Sequence, residues 1–309
     1  MPERAAPASS IAGALEQAVG RLTPLDLPSP RREAAMLWAA VAGAGTKPGD
    51  VWLRRDQEPP AELEERFRQA VERRASGLPF AYAVGRVGFR RLELQLDRRA
   101  LIPRPETEGL VDMVLNWTRR VERGTWNVER GGRGGGGGGV VADIGTGCGC
   151  IALSLATEGD FERVIAVERS PQAAALAREN IALRCPPVPV ELREGDLLAP
   201  LAGVRCRAIV ANPPYLTEAE YRELDPAVRR FEPREALVSG PDGLDATRAL
   251  LAGGAALLAP GGLLALEIDE RRAERVRALA RDSGWPCVSI HEDLFGRPRF
   301  LLASAMEEA

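Results

Sequence analysis

Histidine is nearly absent from this chain: His291 is the only one in 309 residues. That excludes a histidine-rich metal site and counts against a Ser-His-Asp triad. The five cysteines form an odd set with no CxxC pair, so neither a disulfide framework nor a zinc site is expected. Cys148 and Cys150 are too close together to hold a metal alone and read as small buried residues. No apolar run approaches the length of a membrane span. Residues 1–10 lack the apolar core of a secretory signal. A formal net charge of -3 predicts no broad nucleic-acid surface, although a local basic patch is compatible with it. These features fit a protein of the reducing cytoplasm with no membrane partner.

What is present is an ordinary globular composition, 45% hydrophobic and 28% charged, on a chain long enough for two domains. Ser10 reads as the N-cap of a helix with Ile11, Leu15, Val19 and Leu22 on one face. Pro30 suits the first position of a second helix, carrying Ala34, Leu37, Trp38 and Val41. Pro60 opens a third, with Leu63, Phe67, Ala70 and Val71. A small helical domain over 1–80 follows. Over 81–104, Gly85 to Phe89 and then Leu92, Leu94 and Leu96 in alternation predict a β-hairpin linker. Pro105 suits the first turn of the next helix, where Glu106 and Glu108 complement the positive end. The Ile-Pro-Arg-Pro lead-in at 102–105 reads as a rigid holder for Arg104.

Over 121–139 the chain becomes glycine-rich, with eight glycines in its last nine residues. It predicts a mobile surface loop, since it has little to bury and much backbone entropy to lose. From Val140 strands and helices alternate. Strands are expected at 140–144, 164–167, 190–192, 209–211 and 263–267, with two more near Val288 and Phe300. Helices are expected from Ile151, over 171–184, over 245–258 and over 270–280. The pattern implies a doubly wound, mainly parallel sheet in a domain covering 105–309.

In such sheets, ligands sit at the carboxyl ends of the strands. The turn Gly145-Thr146-Gly147-Cys148-Gly149 would let the backbone approach a ligand. Glu168 ends the next strand about 20 residues on, the spacing of a ribose-hydroxyl acceptor. Asp196 follows the third strand and could accept from an adenine amine. Together they describe an adenosine site. The glycine register does not match the G-x-G-x-x-G of a nicotinamide dinucleotide. After the fourth strand, Ile209 to Ala211, comes Asn212-Pro213-Pro214-Tyr215. The prolines lack N–H donors, Asn212 adds a carboxamide and Tyr215 a flat face. This tip fits a planar group bearing an NH2. An Asn-Pro turn would explain the prolines but not the whole set. Glycine turn and tip together point to S-adenosylmethionine, with its methyl group facing Asn212.

At this point the chain resembles the HemK/PrmC family, the glutamine N5-methyltransferases of class I peptide chain release factors. The resemblance rests on Gly85 and Phe89, Ile-Pro-Arg-Pro-Glu-Thr-Glu at 102–108, Asp-Ile-Gly-Thr-Gly-Cys-Gly at 143–149 and Asn-Pro-Pro-Tyr at 212–215. It continues through Glu-Pro-Arg-Glu-Ala-Leu at 232–237 and Gly-Pro-Asp-Gly-Leu at 240–244. It implies a class I S-adenosylmethionine-dependent methyltransferase, with a Rossmann-like seven-stranded sheet and a helical N-terminal domain that recognises substrate. Asn212, Pro213, Pro214 and Tyr215 would be catalytic. The glycine turn, Glu168, Asp196, Leu197 and Asn212 would bind S-adenosyl-L-methionine, leaving S-adenosyl-L-homocysteine as product. Arg104, Pro105, Glu106, Thr107 and Phe89 would join the Asn-Pro-Pro-Tyr tip in binding the glutamine of a Gly-Gly-Gln loop. No stable nucleic-acid partner is expected. Two features depart from the family pattern: Glu168 stands where Asp is more usual, and the glycine-rich loop resembles an insertion. Two other readings stay open: a nucleic-acid amino-methyltransferase acting on adenine N6 or guanine N2, and a non-catalytic adenosine-binding or partner-docking protein.

Overall fold

The computed structural model describes residues 10–43, 45–120 and 138–304. All of the expected glycine-rich loop except Gly138 and Gly139 lies outside them. The chain separates into two compact units. One takes the residues up to Val87, with Leu96–Arg98 and Asp225–Phe231. The other takes Gly88–Gln95, Arg99–Leu224 and the chain from Glu232 onward.

The smaller unit is helical: α1 (Ile11–Leu22), α2 (Pro30–Ala42), α3 (Pro48–Leu53), α4 (Ala61–Ala75) and α5 (Phe80–Val84). Ser10 and Ser29 cap the first two as expected, accepting the N–H groups of Gly13 and Arg32. The apolar faces converge on Leu15, Leu22, Leu37, Trp38, Phe67 and Val71, all 3% exposed or less. Trp38 and Phe67 meet edge-on with ring centroids 4.7 Å apart, the geometry their quadrupoles favour. The two short helices, α3 and α5, were not expected, because five or six residues show too little of a 3.6-residue period. α5 also carries the helical structure past residue 80.

The hairpin follows as β1 (Arg86–Phe89) and β2 (Leu92–Gln95). Then come α6 (Thr107–Arg120), β3 (Val140–Ile144), α7 (Cys150–Glu158), β4 (Arg163–Glu168), α8 (Pro171–Arg184), β5 (Val190–Glu194) and β6 (Cys206–Ala211). The chain continues through α9 (Glu218–Glu223), α10 (Pro226–Phe231), α11 (Asp245–Leu257), β7 (Leu258–Glu267), α12 (Ala273–Asp282), β8 (Cys287–Glu292) and β9 (Pro298–Ser304). Pro105 and Glu106 lie in the turn before α6 rather than in its first helical turn.

Among the described residues seven strands form one sheet, in the order β5-β4-β3-β6-β7-β9-β8. The first five run parallel, and β9 runs antiparallel to both neighbours. The central strands are near-continuous apolar runs because both faces are covered; all five residues of β3 are buried. The strand order reverses between β3 and β6, where a doubly wound sheet opens a crevice. Register makes that crevice a site. Ile144 lies level with Val167 on one side and Ala211 on the other, and Glu168 lies level with Glu194. The residues at and just past these pairs, Gly145, Glu168, Gly195 and Asn212, therefore share one edge.

Candidate active site

The turn from β3 to α7 is pinned from two directions. From below, Asp143 accepts the Thr146 hydroxyl (2.6 Å) and the Ala152 N–H (3.0 Å) on one carboxylate oxygen. Its other oxygen is buried without a partner. Burial pushes the Asp143 carboxyl up to about 7, against the pull of those two donors. From the β4 side, Glu168 accepts the Gly147 N–H at 2.9 Å and the Ser170 N–H at 2.8 Å. Gly145, Gly147 and Gly149 have φ of 74, 57 and 88°, left-handed values that side chains with a Cβ seldom adopt. A Cβ on Gly145 would meet no protein atom within 4 Å, so the space above the turn is open.

This turn borders a cavity of about 410 Å³ at the carboxyl edge of the sheet, within the range of small-molecule sites. Its lining lies wholly in the larger unit. Gly145, Gly147, Glu168, Asp196 and Leu197 line it from the β3, β4 and β5 ends. Asn212, Pro213 and Pro214 line it from the β6 end. Leu197 adopts φ 44°, a left-handed backbone rare for a residue with a Cβ. The Asp196 carboxylate is 62% exposed, 3.7 Å from Arg169.

The Asn-Pro-Pro-Tyr tip is held by its surroundings. Leu216 donates its N–H to Leu237 and accepts that of Ser239, both at 2.9 Å. The Tyr215 phenol is pushed up to about 12, mainly by burial and also by the nearby Glu267 carboxyl, so it stays neutral. The Asn212 side-chain nitrogen donates to Thr107 Oγ1 at 3.1 Å. Thr107 Oγ1 in turn donates to Glu267 Oε2 at 2.7 Å. Glu267 is 2% exposed, and burial pushes its carboxyl up to about 7.

Other expected residues lie behind or beside the cavity. Thr146 and Cys148 are buried in the turn; the Cys148 carbonyl accepts from Asn180 at 2.9 Å. Gly149 caps α7. Arg104 pairs with the buried Glu232 carboxylate at 2.8 Å, and Glu232 also accepts the Ile102 N–H at 3.2 Å. Arg104 is thus engaged by Glu232, the first residue of the Glu-Pro-Arg-Glu-Ala-Leu segment. Phe89 is 1% exposed and, like Arg104, Pro105, Glu106, Thr107 and Tyr215, is not part of the cavity lining.

Two family models match the chain, one described as a PrmC N-terminal domain over residues 13–85 and one as a methyltransferase small domain over 136–230. A protein of Deinococcus radiodurans named release factor glutamine methyltransferase is 40% identical over 94% of this chain and 96% of its own length. A protein of the same name from Moorella thermoacetica is 42% identical over 96% and 98%. This chain belongs to the release factor glutamine methyltransferase family. Its fold is that of the class I methyltransferases. The hMettl16 catalytic domain, solved with the MAT2A 3'UTR hairpin 6, superposes over 81% of this chain and 84% of that one, with TM-score 0.52 at 16% identity.

Within this member of the family, sequence reasoning missed Glu267 and the pairing of Glu232. Glu267 ends the apolar run Leu263–Leu266 as Glu168 ends β4, so the same strand-end pattern marks both. Glu232 is marked only as the start of the 232–237 motif; its pairing carries no local signal, since its partners lie 128 and 130 residues away. No helix among the described residues is long and apolar enough to cross a membrane.

Proposed function

We propose that this protein methylates the side-chain amide nitrogen of the glutamine in the Gly-Gly-Gln loop of class I peptide chain release factors, using S-adenosyl-L-methionine. The observation that carries this reading is the Asn212 carboxamide beside the cavity. Its nitrogen is engaged by Thr107, and no donor among the described residues reaches its Oδ1. The Pro213 carbonyl accepts no hydrogen bond among the described residues either. Two open acceptors on a rigid tip match the two N–H bonds of a primary amide. The names of relatives that align over nearly the whole chain support the same substrate. Nothing observed favours a nucleobase amine instead.

The cavity fits the cofactor in chemistry as well as size. Glu168 offers carboxylate oxygens to ribose hydroxyls, Asp196 an acceptor for the adenine amine, and the glycine turn a close backbone approach. Leu197 would give the adenosine an apolar wall. When bound, the cofactor supplies a methyl group on a positively charged sulfur.

An amide nitrogen is a weak nucleophile, because its lone pair is delocalised into the carbonyl. Asn212 Oδ1 and the Pro213 carbonyl would accept hydrogen bonds from both amide N–H groups and turn the nitrogen's face toward the methyl group. The same acceptors favour the positive charge that develops on that nitrogen. Pro214 stiffens the tip, and the neutral Tyr215 ring would pack against the amide plane. No general base is required before attack, since the proton can leave afterwards, and no histidine lines the cavity. The helical unit is assigned to recognising the protein substrate. In the larger unit, Arg104, Pro105 and Glu106 are assigned to shaping its approach, and Phe89, 1% exposed, can act only from the core.

The test is single-turnover methyl transfer to a Gly-Gly-Gln release factor, run beside calorimetric titration of the cofactor. Asn212→Ala should lower turnover by about 100- to 1000-fold while cofactor affinity changes far less. An alanine variant that transfers methyl at the wild-type rate would overturn the proposal.

A further inference from the structure

The Asn212 side chain does not stand alone. It ends a chain of two hydrogen bonds, Asn212 Nδ2 to Thr107 Oγ1 at 3.1 Å and Thr107 Oγ1 to Glu267 Oε2 at 2.7 Å. The three residues come from the tip of β6, the start of α6 and the end of β7. Thr107 and Glu267 are each 2% exposed, so little water competes for these bonds.

The chain has a direction, and the direction follows from donor chemistry. An ionised carboxylate only accepts, so the Thr107 hydroxyl must spend its one proton on Glu267. Thr107 can then only accept from Asn212, so the amide must present its nitrogen there. Asn and Gln amides are nearly symmetric in shape, and only their partners choose which end faces which way. Reversing the Asn212 amide would set its oxygen against a hydroxyl oxygen with no proton left to give, and would turn an NH2 toward the substrate's own NH2.

From this geometry we infer that Thr107 and Glu267 are positioning residues, which set the Asn212 amide so that its oxygen, not its nitrogen, meets the substrate. The inference rests on the reading of Asn212 as the substrate's acceptor. It gives Thr107 a role through Asn212 rather than by direct contact with glutamine, which agrees with its place outside the cavity lining.

The polarity depends on the charge of Glu267. Protonated on Oε2, Glu267 could donate to Thr107, and Thr107 could then donate to Asn212 and hold the amide the wrong way round. The charged and titratable groups around Glu267 are Arg104 and Glu106 on the lead-in, Arg299 on β9, and Tyr215 and Asp269 near the tip. Burial outweighs the two arginines and holds the carboxyl near 7. The correct polarity should therefore prevail above about 7 and weaken below it.

The experiment is a double-mutant cycle read by single-turnover transfer to a Gly-Gly-Gln release factor at saturating cofactor. Thr107→Val keeps the shape but removes the hydroxyl, and should lower kcat by about 10- to 100-fold with little change in cofactor Kd. Thr107→Ser should recover most of the loss. Thr107→Val placed on Asn212→Ala should cost nothing further, because the two residues act as one unit. The inference fails if Thr107→Val turns over like wild type, if Thr107→Ser does not rescue, or if the two losses multiply. Those outcomes differ from failure of the underlying reading, in which Asn212→Ala alone would keep its turnover. A second measurement needs no substitution. Wild-type kcat should fall as pH drops through about 7 while cofactor Kd holds, and a flat kcat across that range would also overturn the inference.

Discussion

The backbone N–H of Gly147 donates to a carboxylate oxygen of Glu168 at 2.9 Å. The glycine turn and the tip of β4 are thus tied together before any ligand arrives. Glu168 orders the turn, and in the proposed cofactor site it would also offer its remaining lone pairs to ribose. Glu168→Ala removes both. Lost hydrogen bonds to a charged group cost about 1.5–3 kcal/mol, so cofactor affinity should fall by about 10- to 150-fold. The fold should persist, because the sheet core beneath is untouched. Calorimetry on the variant decides the matter, and an unchanged Kd would remove Glu168 from the cofactor site.

Gly243 and Gly203 provide a matched pair. Both have φ 77°, so alanine at either pays the same left-handed penalty, about 1–2 kcal/mol. At Gly203 a Cβ would meet nothing within 4 Å, whereas at Gly243 it would lie 2.3 Å from the Tyr215 carbonyl oxygen. Gly203→Ala should lower the melting temperature modestly and stay active. Gly243→Ala should lower it further and lose methyl transfer, because the Asn-Pro-Pro-Tyr backbone must move. Equal activity in the two would show that the tip tolerates the displacement.

Breaking the Arg104–Glu232 pair should destabilise the protein more than its partly exposed cation implies. The Glu232 side chain is only 1% exposed, so Arg104→Ala strands a buried carboxylate on the Ile102 N–H alone. The expected loss is about 1.5–3 kcal/mol, seen as a fall in denaturant midpoint. Adding Glu232→Gln should restore part of it by removing the uncompensated charge. If the double variant is less stable than Arg104→Ala, charge is not what matters there.

Asp143 and Glu267 set a pH dependence opposite in sign to that of most carboxylates. Both are held near 7 by burial, against ordinary values of 3.8 and 4.5. Between those limits the folded chain keeps protons that the unfolded chain has released. Their contribution is therefore full below the ordinary values and is lost as pH rises through about 7. Unfolding free energy of the wild type should decline across that window, and Asp143→Asn should flatten the decline. Parallel curves for the two proteins would exclude Asp143 as a source.

What the sequence showed depended on how local the signal was. Val140–Ile144 and Val164–Val167 were readable as strands because burial on both faces makes them near-continuous apolar runs. Helix 171–184 was readable from Pro171 at its start and from Ala174, Leu176 and Ile181 along it; its Ser170 cap is seen only in the structure. Helices α9 and α10 were missed: the six residues of α9 are mostly Glu and Arg, and the six of α10, though Ala227, Val228 and Phe231 share a face, span less than two turns. In the site, the glycine turn, Glu168 and Asn212 announce themselves by spacing. The orientation of Asn212 does not: it depends on residues 105 and 55 positions away, which the fold alone brings together.

The place of β9 in the sheet ranks the ways this edge can open. β8 precedes β9 in the chain but lies outside it, joined to the sheet only through it. β8 can therefore detach alone, whereas β9 cannot leave without taking β8. Phe300 on β9 also sits hard against Gly109, where a Cβ would come within 2.9 Å of its ring, two residues beyond Thr107. Amide hydrogen exchange should thus show β8 trading its protons first and β9 later. Exchange in β9 should be accompanied by exposure of the α6 start, so the slowest local opening at this edge is also one that dismantles the support beneath Asn212.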